Sequence, residues 1–334
     1  MRVLQSFAEG RSTTNPYLVQ LVRALRPRTE VLGFSWRNAL FARYDVVHVH
    51  WPERLCRGRT PARSLARRLL LRALIVRLRI GRIALVRTLH NEVPHEEVTR
   101  AEAALLRRLD ALTAVWIALN PATTRPQAAW PGSPLVVIPH GEYRAWFERM
   151  PRPPSVRGRL VFAGLIRPYK GVEALIDAFT ALPDESLTLR IVGEPTSQEL
   201  AVAIRASADI DDRISHSLTY LADADLAEEI GRAELVVLPY RRMHNSGAAL
   251  LALSLERPVL VPANEVTDGL AREVGPGWVA TFPGALSAEV LTRAVRTVRE
   301  TPRSPSPDLS RRTWPVIAER HREAYATAVQ LVRG

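Results

Sequence analysis

Short apolar runs alternate with stretches of helical periodicity along the whole chain. The alternation breaks once, at Met150–Arg159 (MPRPPSVRGR), and then restarts. A run of strand length followed by a helix-length stretch is the mark of a βα unit, and repeated units build a mostly parallel sheet. In the first half, strands are expected at Arg2–Leu4, Val31–Gly33, Val46–Val49, Ile83–Leu89, Ala111–Ala118 and Leu135–Ile138, the stretch around Ala111 being also able to continue the preceding helix. Helices are expected at Pro16–Leu25, Ala62–Arg79 and Thr99–Leu109, the first opened by an Asn15 cap and a proline at its first position. After the break, strands are expected at Leu160–Ala163, Thr188–Val192, Ile214–Leu218, Leu235–Leu238, Pro258–Val261 and Gly277–Thr281. Helices lie between them, such as Val172–Ala181, Gln198–Ala208, Asp223–Arg232 and Gly247–Leu255, and an amphipathic helix, Thr313–Arg333, closes the chain.

A length of 334 residues suits two domains, each able to bury its own core. The single cysteine, Cys56, leaves no internal disulfide framework and fits a reducing compartment. No apolar run suits a signal peptide or a spanning helix, so a cytoplasmic location is expected. The net charge of +12 is uneven: Arg54–Asn91 holds eleven arginines and no Asp or Glu. Arg63, Arg67, Arg68 and Arg72 recur at helical spacing among leucines. Such a helix suits an anionic membrane or a lipid-linked phosphate, and equally a solvated basic face. Nucleic acid is not expected as a partner, because no recognition motif accompanies the charge.

The strongest chemical signal is Val161–Gly171 (VFAGLIRPYKG). An apolar strand ends at Gly164, two cations follow at Arg167 and Lys170, and a helix starts at once. Free N–H groups and cations at a strand-to-helix junction favour a diphosphate. Farther on, Asn245-Ser246-Gly247 opens an apolar helix that Ser246 can cap, which directs a second set of N–H donors at an anion.

Strand–Gly-x-x-Arg-x-x-Lys-Gly–helix resembles the donor-phosphate motif of GT-B fold glycosyltransferases, particularly family 4 and its bacterial relatives. The resemblance implies two doubly wound Rossmann-like α/β domains facing a cleft. Residues 1–150 would bind the acceptor and 151–312 the nucleotide-sugar donor, with 313–334 packing back on the first domain. It implies that Arg167 and Lys170 neutralise a leaving UDP or GDP, and that Gly164, Gly193, Glu194, Tyr240, His244, Asn245, Ser246 and Gly247 line the donor site. No metal and no cofactor beyond the sugar nucleotide is expected. The chain departs from many family 4 members, which carry two glutamates eight positions apart where this one has His244–Ser246 and then Leu251 or Ala252.

Two polar segments end apolar strands of the first half, Asp45–Glu53 (DVVHVHWPE) and Thr88–Glu96 (TLHNEVPHE), with His48 and His50 on one side of a strand. By the same resemblance His90 approaches the donor sugar and Glu96 is a candidate base. His50, Glu53, Asn91, His95 and His140 (in Pro139-His-Gly-Glu-Tyr143) are candidates for the acceptor. A metal at His48, His50 and Glu53 lacks a further ligand. Of two Asp-x-Asp pairs, Asp223 reads instead as a helix cap. The expected activity is transfer of a hexose to a hydroxyl of a glycan, lipid-linked, in polysaccharide or glycolipid assembly at the inner face of the cell membrane. A sugar-nucleotide 2-epimerase and a non-catalytic sugar-nucleotide-binding protein are the alternatives.

Overall fold

The structure is a computed structural model and describes residues 1–8, 15–90, 99–241 and 243–334. The chain divides into two compact units, 1–141 with 311–334, and 142–310.

The first unit runs β1 (Arg2–Gln5), α1 (Pro16–Leu25), β2 (Glu30–Leu32), α2 (Trp36–Phe41), β3 (Val46–Val49) and α3 (Glu53–Cys56). It continues with α4 (Pro61–Ile80), β4 (Ala84–Leu89), α5 (Arg100–Ala111), β5 (Thr113–Ala118) and β6 (Leu135–Val137). Among the described residues its sheet has six parallel strands in the order β2-β1-β3-β4-β5-β6. The stretch from Ala111 divides: Ala111 ends α5 and the strand begins at Thr113, whose hydroxyl donates to the Leu109 carbonyl oxygen at 3.0 Å. Asn15 caps α1 ahead of Pro16, as its sequence implies.

The second unit runs β7 (Arg159–Ala163), α6 (Val172–Thr180), β8 (Thr188–Val192), α7 (Gln198–Ile210), β9 (Ile214–Ser217) and α8 (Asp223–Gly231). It then runs β10 (Leu235–Val237), α9 (Gly247–Ser254), β11 (Val259–Pro262), α10 (Glu265–Val274), β12 (Val279–Phe282) and α11 (Ala288–Glu300). The strands are again parallel, in the order β12-β11-β10-β7-β8-β9. The closing helix α12 (Trp314–Arg333) packs on α1 and on β3, β4 and β5 of the first unit. Its Ile317, Ala318, Ala324, Tyr325 and Ala328 join that unit's core.

Two sequence readings need correction. The first unit ends at Gly141, ahead of the proline-rich 150–159 stretch, because Tyr143 and Phe147 are buried in the second core. Asp223 does not cap α8: Ala222 holds the cap position, and the Asp223 carboxylate accepts the Trp146 indole N–H at 2.8 Å.

Both sheets change winding direction at one place, between β1 and β3 in the first unit and between β7 and β10 in the second. Loops leaving the two strands at such a point diverge to opposite faces, and a ligand fits the gap between them. His50 follows β3. Gly164–Gly171 follows β7, and Pro239–Ser246 follows β10.

Candidate functional site

In the second unit, close backbone contact defines the site. Gly164 and Gly193 end β7 and β8 with φ of 123° and 139°, which only glycine adopts readily. A Cβ on Gly193 would fall 2.1 Å from the Gly164 carbonyl oxygen, so no side chain fits there. Ile166 N–H donates to the Glu194 carbonyl oxygen at 2.9 Å, which ties the two loops together. The Glu194 side chain itself is exposed.

From Gly164 the chain crosses a single 3₁₀ turn, Pro168–Lys170, and enters α6 through Gly171 at φ 66°. Gly171 packs so tightly on Pro239 that a Cβ would lie 2.3 Å from its carbonyl oxygen, and Arg241 N–H donates to the Tyr169 carbonyl oxygen at 2.9 Å. The loops after β7 and β10 are therefore one construction.

Lys170 reaches back over this construction. Its Nζ lies 5.2 Å from the centre of the buried Tyr240 ring and 3.4 Å from where a Gly164 Cβ would be. Partial burial and the neighbouring Arg167 push its ammonium down to about 8. Among the described residues, no carboxylate pairs with Arg167 or Lys170. Elsewhere in this unit several arginines have carboxylate partners: Arg159 and Arg190 share Glu229, Arg213 holds Asp211, and Arg299 holds Glu234. Two adjacent cations without a counter-charge repel each other and lose hydration, a cost an anion removes.

The N-terminus of α9 supplies further donors. Ser246 Oγ accepts the Ala249 N–H at 3.1 Å, and the Tyr143 hydroxyl lies 3.2 Å from where a Gly247 Cβ would be. His244 and Asn245 are half-buried just before it. Beside the loop after β9, a cavity of about 390 Å³ is bordered by Ser217, Thr219, Tyr220, Leu221 and Asp225, with the Tyr220 side chain 78% exposed. Tyr143 is not marked by the sequence, since a lone tyrosine carries no pattern.

In the first unit, the structure gathers histidines from distant segments. His48 and His50 leave one side of β3 with ring centres 4.1 Å apart. His50 Nδ1 lies 2.9 Å from His90 Nε2, and the His90 ring stacks on Trp51 at 4.3 Å. His140 packs on Tyr17 at 4.6 Å. Burial pushes His90 down to about 3 and His140 to about 4, so both are neutral at ordinary pH. Glu53 lies at the first position of α3 and not in a loop, where its charge acts on the buried Arg87. Asn91, His95 and Glu96 lie outside the described residues. Gln5, Thr88, His321 and Tyr325 also join this group, although no motif marks them.

The family model described as Glycosyl transferases group 1 matches residues 157–298, which contain the whole second-unit site. The chain is 45% identical over 327 residues to a GDP-mannose:glycolipid 4-β-D-mannosyltransferase of Xanthomonas campestris pv. campestris, covering 98% of this chain and 92% of that protein. Among solved structures, UDP-bound HepE of Anabaena matches with a TM-score of 0.59 at 16% identity, covering 100% of this chain and 98% of the other. The lipopolysaccharide outer core galactosyltransferase WaaB, in its apo form, matches with a TM-score of 0.64 at 11% identity, covering 97% and 99%. These structures share the fold, and the identity to the Xanthomonas protein extends through both units. The chain therefore belongs to the family of that mannosyltransferase, among the GT-B glycosyltransferases, and is an enzyme that transfers a hexose from a nucleotide-sugar donor.

Proposed function

We propose that the enzyme transfers mannose from GDP-mannose to a hydroxyl of a glycolipid and forms a β linkage. The observation that carries this is the 45% identity over 98% of the chain, because it includes the acceptor unit as well as the donor unit. Arg167, Lys170 and the N-terminus of α9 would bind the diphosphate and stabilise its charge as the sugar departs, a large catalytic contribution in such transfers. With the charge met in this way, turnover is expected to persist in a chelator. The exposed Tyr220 beside its cavity offers a face on which the base can stack.

GDP-mannose holds its sugar in α linkage, so a β product requires a single inverting displacement. The attacking hydroxyl must then lose its proton to a base. A group held down at about 3 is poorly matched to that task near neutral pH, so His90 would bind a sugar hydroxyl as a neutral imidazole. Glu96 is the carboxylate we assign to the proton, from its place in the segment after His90. The test is incubation with labelled GDP-mannose or UDP-glucose and a lipid extract. Mannose in the lipid phase with β configuration is expected. Equal use of UDP-glucose, or an α product, overturns the reading.

Lys170 makes donor binding sensitive to pH. A diphosphate favours the ammonium, so affinity should be constant below about 8 and fall as pH rises through it. Calorimetric titration with GDP should show affinity about tenfold weaker at about pH 9 than at about pH 7. Lys170→Arg should remove most of that change. An equal loss in the variant would mean that another group titrates.

No helix among the described residues is long and apolar enough to cross a membrane. Helix α4 nevertheless has two apolar faces. Leu71, Leu74 and Leu78 are buried in the core, while Leu65, Leu69, Val76 and Ile80 form a stripe on the opposite side, 56%, 52%, 54% and 79% exposed. Exposed Arg72 and Arg79 border that stripe. An apolar stripe edged by cations suits the surface of an anionic bilayer, where each cation contributes about 1 kcal/mol. We infer that the enzyme works there, on the cytoplasmic side. Sedimentation with vesicles should require anionic lipid, weaken with salt and fall sharply in Leu69→Asp/Ile80→Asp. Equal binding to neutral vesicles would contradict it.

A further inference from the structure

A line of hydrogen bonds connects the closing helix to His90. Tyr325 Oη on α12 lies 2.8 Å from His48 Nδ1, and His48 Nε2 lies 2.8 Å from Thr88 Oγ1. The Gln5 side-chain amide on β1 donates through Nε2 to Tyr325 Oη at 3.3 Å. Gln5 Oε1 lies 3.2 Å from His50 Nε2, and His50 Nδ1 lies 2.9 Å from His90 Nε2. Gln5, His48 and Tyr325 are fully buried and His50 is 2% exposed, so water does not compete for these groups.

Each neutral imidazole has one donor and one acceptor nitrogen, and an amide has one donor and one acceptor end. The line therefore has a direction. With the Gln5 N–H on Tyr325, its oxygen accepts from His50 Nε2–H. His50 Nδ1 must then accept, so His90 Nε2 carries the proton that closes the bond. On the other branch Tyr325 donates to His48 Nδ1, and His48 Nε2–H donates to Thr88. Along the Gln5–His50–His90 part the sense of each bond fixes the next, so that part reverses only as a whole, with the Gln5 amide turned over, whereas the Tyr325 and Thr88 hydroxyls accommodate either sense.

We propose that Gln5 and Tyr325 are positioning residues that act through His50 to hold His90 with its proton on Nε2, the form in which Nδ1 is the accepting nitrogen. The proposal rests on the placement of His90 at the sugar, given above. It also gives α12 a part in the reaction: the helix that returns to the first unit carries the hydroxyl that receives the Gln5 N–H. His321, one turn before Tyr325, is a further neighbour, with its ring centre 5.6 Å from that of His48 and its own Nδ1–H donated to the Ile317 carbonyl oxygen at 2.8 Å.

Long-range proton–nitrogen spectra of the imidazoles read the proton positions directly. The native enzyme should show His90 as the Nε2–H form. In Gln5→Met, His50 loses its inward acceptor, and His90 should become a mixture of both forms. Its kcat should fall at least about tenfold while GDP affinity is unchanged, since GDP is held by the other unit. Tyr325→Phe should act the same way and serves if Gln5→Met does not fold. An Nδ1–H form in the native enzyme overturns the proposal, as does an unaltered kcat in both folded variants. His90→Ala separates the two readings. Full turnover in that variant refutes the placement of His90 at the sugar, whatever the spectra show of the proton arrangement.

Discussion

Lowering the pH from about 7 to about 5.5 should destabilise the first unit by about 4 kcal/mol, a large part of the 5–15 kcal/mol typical of a folded protein. His48, His50 and His321 are 0%, 2% and 0% exposed, and burial holds all three below the ordinary value of 6.5, His321 at about 4. In the unfolded chain each titrates near 6.5, so below that pH the unfolded state binds more protons than the folded one. The stability they contribute is fully present above about 6.5 and is lost as pH falls toward their folded values. Each contributes a little over 1 kcal/mol across this range, by the linkage of proton binding to unfolding. His90 and His140, which are half-buried, act in the same direction. Urea unfolding followed at several pH values would measure the loss, and hydrogen exchange would locate it in residues 1–141 and 311–334. Replacing His321 with Met should reduce the pH slope by close to one proton. A stability that is flat between these pH values would mean that the folded unit accommodates the imidazolium forms.

Arg167→Ala and Lys170→Ala should each lower kcat/KM by about 10²–10³, the usual cost of removing one group that stabilises charge in the transition state. The double variant should lose less than the product of the two, because both act on one diphosphate. Neither change should reduce the melting temperature of the free enzyme, since both cations lack a carboxylate partner among the described residues and repel each other. A rise in the melting temperature of the free variants would be the clearer sign of a site built for an anion. On the proposed donor, GDP should stabilise the native enzyme through its binding free energy, and that increment should disappear in both variants. A GDP-induced shift that survives in both would place the diphosphate elsewhere.

Several parts of this enzyme are visible in the order of its residues, for local reasons. The βα alternation follows from hydrophobic periodicity, so α1, β3 and β8 emerge at the expected residues. Asn15-Pro16 and Ser246-Gly247 mark helix starts because a cap and its N–H partner are only a few residues apart. Arg167 and Lys170 stand out because strand, glycine turn, cations and helix are contiguous. Where the local signal is weak the sequence leaves a boundary open, as at Ala111, or marks the wrong group, as with Asp223.

The relations between distant segments were decided only by the tertiary structure. The second apolar face of α4 has meaning only once Leu71, Leu74 and Leu78 are known to be buried, because the sequence shows leucines and arginines around the whole helix. The sequence places Gly193 at the donor site, but the reason it must be glycine appears only when the Gly164 carbonyl is found against it. The line from Tyr325 through Gln5 and His50 to His90 joins α12, β1, β3 and the end of β4, and its Gln5–Tyr325 bond spans 320 positions. Hydrophobic period and turn chemistry are local and are written along the chain. The direction of a hydrogen-bond line depends on which side chains share a buried space, and that is settled only when the sheet orders its strands and the last helix packs on them.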